Sequence, residues 1–109
     1  MSENKVSFSV PELTPVFSYA TVYGVISVYL FKTLNTTIAV MTLNGEAYSV
    51  STINYANVAR YLISDAIERF QDENEATPNP FMVLFEDREA TRKLNDLLSS
   101  IFYGDERGD

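Results

Sequence analysis

The sequence predicts an α+β domain: an antiparallel sheet of about five strands with two helices packed on it, in the order β-β-β-β-α-β-α. Three observations carry this. Apolar residues alternate with a period of two through residues 6–10 and 16–23, and the apolar side chains of residues 6–50 are mainly Val, Ile, Phe and Tyr, which suit strands. After Ser51 and Thr52 the period becomes helical. Charge is also segregated. Residues 1–63 carry only Glu3, Lys5, Glu12, Lys32, Glu46 and Arg60, which sum to zero, so the whole net charge of −7 lies in residues 64–109. Strands followed by amphipathic helices suggest a sheet with a helical layer against it. At 109 residues the chain is expected to be one domain, with short flexible termini over residues 1–4 and 105–109.

Val6, Phe8 and Val10 alternate with Ser7 and Ser9, which predicts a first short strand. Pro11 and Pro15 bracket a loop. Alternation then resumes, with Phe17, Tyr19, Thr21 and Tyr23 on one side and Val16, Ser18, Ala20 and Val22 on the other. Gly24 is expected to mark a bulge or sharp bend, with the strand continuing over residues 25–31. Residues 13–31 hold no charge and approach the ~20 residues that span a bilayer as a helix. Pro15, Gly24 and the valines and tyrosines favour a β-segment instead.

Thr33-Leu34-Asn35-Thr36 is echoed by Thr42-Leu43-Asn44-Gly45, which reads as two successive hairpin turns. Asn44 and Gly45 both tolerate the positive φ of a type I′ turn. That turn would set Leu43 opposite Glu46, Met41 opposite Tyr48 and Ala39 opposite Val50. Met41, Ala39, Tyr48 and Val50 would then share a face, with Ile38, Val40 and Ala47 on the other.

Tyr55, Val58, Ala59, Leu62, Ala66 and Phe70 follow helical spacing, widened by Ile63 and Ile67. Thr52 or Asn54 is the expected N-cap, and Asp65 with Arg69 the expected i,i+4 pair. Residues 71–80 read as an exposed acidic linker stiffened by Pro78 and Pro80. The continuous apolar run 81–85 reads as a buried strand. The second helix is expected to start at Asp87, to bury Ala90, Leu94, Leu97, Leu98, Ile101 and Phe102, and to end at Gly104.

Composition removes several chemistries. The chain has no cysteine and no histidine. Thiolate nucleophiles, disulfides, zinc–thiolate sites and Ser–His or Cys–His catalysis are therefore excluded. Asp65, Glu68, Asp72 and Glu73 share a helix face, but glycosidase-like work needs carboxylates flanking a cleft. Asp72, Glu73, Asn74 and Glu75 offer oxygen ligands without the EF-hand spacing. No catalytic residue, metal or cofactor is expected.

Tyrosines fall in or beside the sheet. Of these, Tyr19, Tyr23 and Tyr29 are candidates for self-association, because Tyr suits interfaces. Stacking of bases on sheet aromatics needs interleaved Lys and Arg, and residues 1–63 supply only Lys5, Lys32 and Arg60. Nucleic acid is therefore not an expected partner. Arg88, Arg92 and Lys93 cluster on the second helix, where pairing with Glu89, Asp96 and other acids is expected.

The sequence thus points to a small acidic, cytoplasmic, non-enzymatic protein-binding module. Such accessory or inhibitor proteins are often encoded by phages or mobile elements. Its candidate surface comprises Asp65, Glu68, Asp72, Glu73, Glu75, Glu86, Asp87 and Glu89, facing a basic site on a partner protein. The alternative is an assembly subunit, possible as a homodimer, that self-associates through the Tyr-rich sheet.

Overall fold

A computed structural model describes residues 14–53, 57–75 and 77–107, with side chains to residue 101. Strands β1 (Phe17–Thr21), β2 (Gly24–Lys32), β3 (Thr37–Leu43) and β4 (Glu46–Thr52) precede helices α1 (Val58–Glu73), α2 (Pro80–Glu86) and α3 (Arg88–Arg107). The strands form one antiparallel meander in chain order. The class is α+β as expected, but the order is β-β-β-β-α-α-α. The strand expected over residues 6–10 lies outside the described residues. No described helix is long and apolar enough to cross a membrane.

The chain does not run through Gly24 as a bulged strand. It reverses there: Thr21 pairs with Gly24 and β1 returns as β2. Alternation on both sides of a glycine looks the same in a bulge and in a tight hairpin, so the period could not separate them. Gly24 takes φ +142°, a conformation that L side chains rarely adopt. A Cβ at this position would stand 2.8 Å from Asn44 Nδ2 and 2.9 Å from Leu43 Cδ1. The approach is close because Asn44 Oδ1 accepts from the Val25 amide at 3.0 Å, joining the β1–β2 and β3–β4 turns.

Asn44 and Gly45 form the expected turn, with φ of 50° and 89°. Leu43 pairs with Glu46, and Thr42 with Ala47. The register then shifts: Met41 pairs with Ser49 and Ala39 with Ser51, leaving Tyr48 as an extra residue in β4. The expected Met41–Tyr48 and Ala39–Val50 pairs are therefore not made. Tyr48 and Ser49 are both buried, and Val50 turns to the opposite face beside Val40, 55% exposed.

One core lies between the sheet and the helices. Ile26, Val28, Ala39, Met41 and Tyr48 pack against Val58, Leu62, Ile63, Ala66 and Phe70 of α1, with Phe81, Leu84, Leu94 and Leu98 completing it. Tyr48 sits in an aromatic cluster, 5.6 Å from Phe70 and 5.4 Å from Phe81 between ring centroids.

The apolar run 81–85 is helix α2, not a strand. Asn79 caps it by accepting from the Phe81 amide at 3.0 Å, and Pro80 occupies the first turn. Asn79 Nδ2 also donates to the Ile67 carbonyl at 3.1 Å, fixing the start of α2 against α1. A helix buries residues three apart, so Phe81 and Leu84 are enclosed while Met82, Val83 and Phe85 remain partly exposed.

Two further expectations at helix ends are corrected. Thr52 belongs to β4, and Asn57 is the N-cap of α1, without a side-chain capping bond; Asn54 lies outside the described residues. Helix α3 continues through Gly104 to Arg107.

Candidate functional site

Helix α1 buries one stripe and turns its opposite face to solvent. Asp65, Glu68, Asp72 and Glu73 fall on that outer face and line one shallow recess of about 260 Å³ together with Arg69. Arg69 reaches Glu73, Nε to carboxylate 3.8 Å, rather than the expected Asp65. Both are largely exposed, so the pair adds little stability. Glu75 follows the helix, and its carbonyl accepts from Gln71 Nε2 at 3.1 Å.

The other three acids of the expected surface sit elsewhere. Glu86 ends α2, Asp87 joins α2 to α3, and Glu89 is in the first turn of α3. Asp87 and Glu89 line a recess with Phe17, Tyr19 and Lys93, separate from the α1 recess. The structure therefore divides the eight acids between α1 with its following loop and the α2–α3 junction.

Asp87 has a structural role. Its Oδ1 accepts from the Ala90 amide at 3.1 Å, capping α3 as the sequence predicted. Its Oδ2 accepts from the Tyr19 hydroxyl at 2.8 Å. The Ala90 amide, then the Tyr19 hydroxyl, hold the Asp87 carboxyl below the usual carboxylate range. The same bond to Asp87, followed by burial, raises the Tyr19 phenol above its ordinary value. Burial among Phe70 and Phe81 raises the Tyr48 phenol, and Glu46 and Glu73 add to this.

The three candidate tyrosines do not share a surface. Tyr19 is on the helix side of the sheet, Tyr23 is in the β1–β2 turn, and Tyr29 is on the opposite face. That face is nonetheless uncharged, with a polar row of Ser18, Ser27 and Thr42 beside its apolar rows. Tyr29, Val40 and Val50 lie in one row across β2, β3 and β4, with Phe31 and Ile38 in the next. Val25, Phe31 and Val50 are exposed on it. No strand residue pointing this way carries a charge, and no described element covers it.

A third feature joins residues far apart in sequence. Arg60 from the first turn of α1 meets Arg88 and Arg92 from the start of α3 along a groove of about 500 Å³. Asn57, Phe85, Thr91 and Asn95 complete its lining. The expected pairing of Arg88 and Arg92 with Glu89 and Asp96 is not made: among the described residues, no ion pair involves any of these three arginines. Asn95 Oδ1 is buried without a hydrogen-bond partner. Arg88 and Arg92, four apart, were legible as a pair in the sequence. Arg60 joins them only through the packing of α1 on α3.

Among the described residues, no three acidic side chains converge to hold a metal ion. The chain matches no protein-family model, no curated protein and no solved structure. The fold therefore defines the class, a meander sheet backed by three helices, and the surfaces themselves carry the functional argument.

Proposed function

We propose that this chain is a non-enzymatic binding module that pairs with a second copy through the outer face of its sheet and presents its acidic helices outward. The carrying observation is the division of charge between the two layers. The outer sheet face has none, whereas Asp65, Glu68, Asp72 and Glu73 lie on the helix side. Two chains of net charge −7 repel each other on average. Sheet-to-sheet pairing places each acidic layer on the outside, separated by layers of roughly 10 Å each. That separation exceeds the screening length of about 8 Å at physiological ionic strength. The row Tyr29, Val40 and Val50 can meet its own symmetry mate, as an isologous dimer requires.

Light scattering over the micromolar range in low and high salt tests this reading. A dimer that persists in high salt is expected, because apolar burial is not screened. A monomer at all concentrations overturns it.

A second reading concerns the partner of the helices. The grouping of Asp65, Glu68, Asp72 and Glu73 in one recess favours a basic protein segment there. Binding of that kind weakens with salt. It is lost when Asp65, Glu68 and Asp72 are replaced by lysine. Retained binding in that variant removes the α1 face from the interface.

A further inference from the structure

The groove between the start of α1 and the start of α3 runs against the electrostatics of the rest of the molecule. The chain carries fifteen acids and eight bases. Yet among the described residues no carboxylate lines this groove, and three arginines do. Among the described residues these three arginines are in no ion pair. Guanidinium groups also present several donors in a fixed fork, suited to oxyanions.

The remaining lining adds recognition elements of another kind. Phe85 is partly exposed at the groove and supplies an apolar ring face. Asn95 also lines the groove, and its Oδ1 is buried with no hydrogen-bond partner. Asn57, at the start of α1, makes no capping bond with its side chain.

We propose that this groove binds a small polyphosphate-bearing ligand of the nucleoside triphosphate class. Arg60, Arg88 and Arg92 hold its phosphates, and Phe85 packs against its ring. The charge selects the class. A single carboxylate offsets one guanidinium, whereas each terminal phosphate carries about −1.5 to −2 near neutral pH. The size fits as well, since about 500 Å³ lies within the usual range for small-ligand sites. A nucleic-acid polymer is disfavoured because its backbone would leave the groove and meet the acidic surfaces of α1 and the α2–α3 junction. The ligand surface is distinct from both the sheet face and the acidic recess, so this proposal stands apart from the proposed pairing.

Calorimetric titration of the full chain with ATP, inorganic tripolyphosphate, adenosine and a short polyglutamate peptide, in about 50 mM salt, tests it. ATP and tripolyphosphate should bind, and adenosine should not. The double variant R88Q/R92Q should weaken ATP by about tenfold or more, with an unchanged thermal melt. F85A should weaken ATP and leave tripolyphosphate as it was. R69Q, outside the groove, should bind as the parent does. Absence of ATP and tripolyphosphate binding up to ~1 mM overturns the proposal. Equal ATP binding by R88Q/R92Q, or a preference for polyglutamate over ATP, also overturns it.

Discussion

The Tyr19 hydroxyl donates to Asp87 Oδ2 across 2.8 Å, linking residues 68 positions apart. This bond fastens β1, an edge strand of the described sheet, to the junction of α2 and α3. Asp87 also caps α3 and closes α2, its own amide donating to the Leu84 carbonyl at 3.0 Å. One residue thus holds three elements together, β1 and α3 through its carboxylate and α2 through its amide.

Replacing Tyr19 with Phe removes this bond and keeps the ring, so a loss of about 1 kcal/mol in unfolding free energy is expected. Asp87→Ala should be more damaging than Y19F, because the α3 cap is lost as well. The pH dependence has a definite sign. The folded Asp87 carboxyl titrates below its ordinary value, so its stabilisation is present above the unfolded carboxylate pKa of about 4 and is lost as pH falls through the lower folded value. Tyr19 titrates above its ordinary value, so its share is complete below about pH 10 and is lost as pH rises through the folded value. Urea denaturation across pH should give a flatter acid limb for Asp87→Asn than for the parent. Parallel limbs would show that the bond does not form in solution.

The two positive-φ glycines should respond differently to alanine. At Gly45 an added Cβ meets nothing within 4 Å, and only the backbone penalty of about 1 kcal/mol applies. At Gly24 the Cβ also collides with the side chains of Asn44 and Leu43. G24A should therefore cost clearly more than G45A in urea denaturation. Equal costs would show that the two turns do not approach as described.

Asn79→Ala should lower stability by about 1–2 kcal/mol through loss of the α2 cap. It also removes the bond to Ile67 O on α1. Faster hydrogen exchange confined to residues 80–86 is the accompanying signature; a uniform change along the chain would contradict it.

Much of this architecture was legible in the sequence because its signals were local. Asn44-Gly45 identified a turn, the spacing of Val58, Leu62, Ala66 and Phe70 identified α1, and Asp87 identified the start of α3. Run 81–85 was misread because five successive apolar residues have no period, although Asn79-Pro80 before them is a helix-start signal. The Tyr48 bulge was hidden because an inserted residue leaves alternation intact on each side while reversing the face of Val50. The candidate acidic residues were identified singly, but their division between the α1 face and the α2–α3 junction depends on where α2 folds back on α1. Arg60 reaches Arg88 and Arg92 only through helix packing, which no local pattern encodes.

The central claim concerns the uncharged outer face of the sheet, where Val50 is exposed in the row with Val40 and Tyr29. Sedimentation equilibrium of the parent chain beside V50K, with thermal melts as a control for folding, tests it most directly. The parent should sediment as a dimer at micromolar concentration, and V50K as a folded monomer. A monomeric parent, or a V50K variant as dimeric as the parent, would contradict pairing through this face.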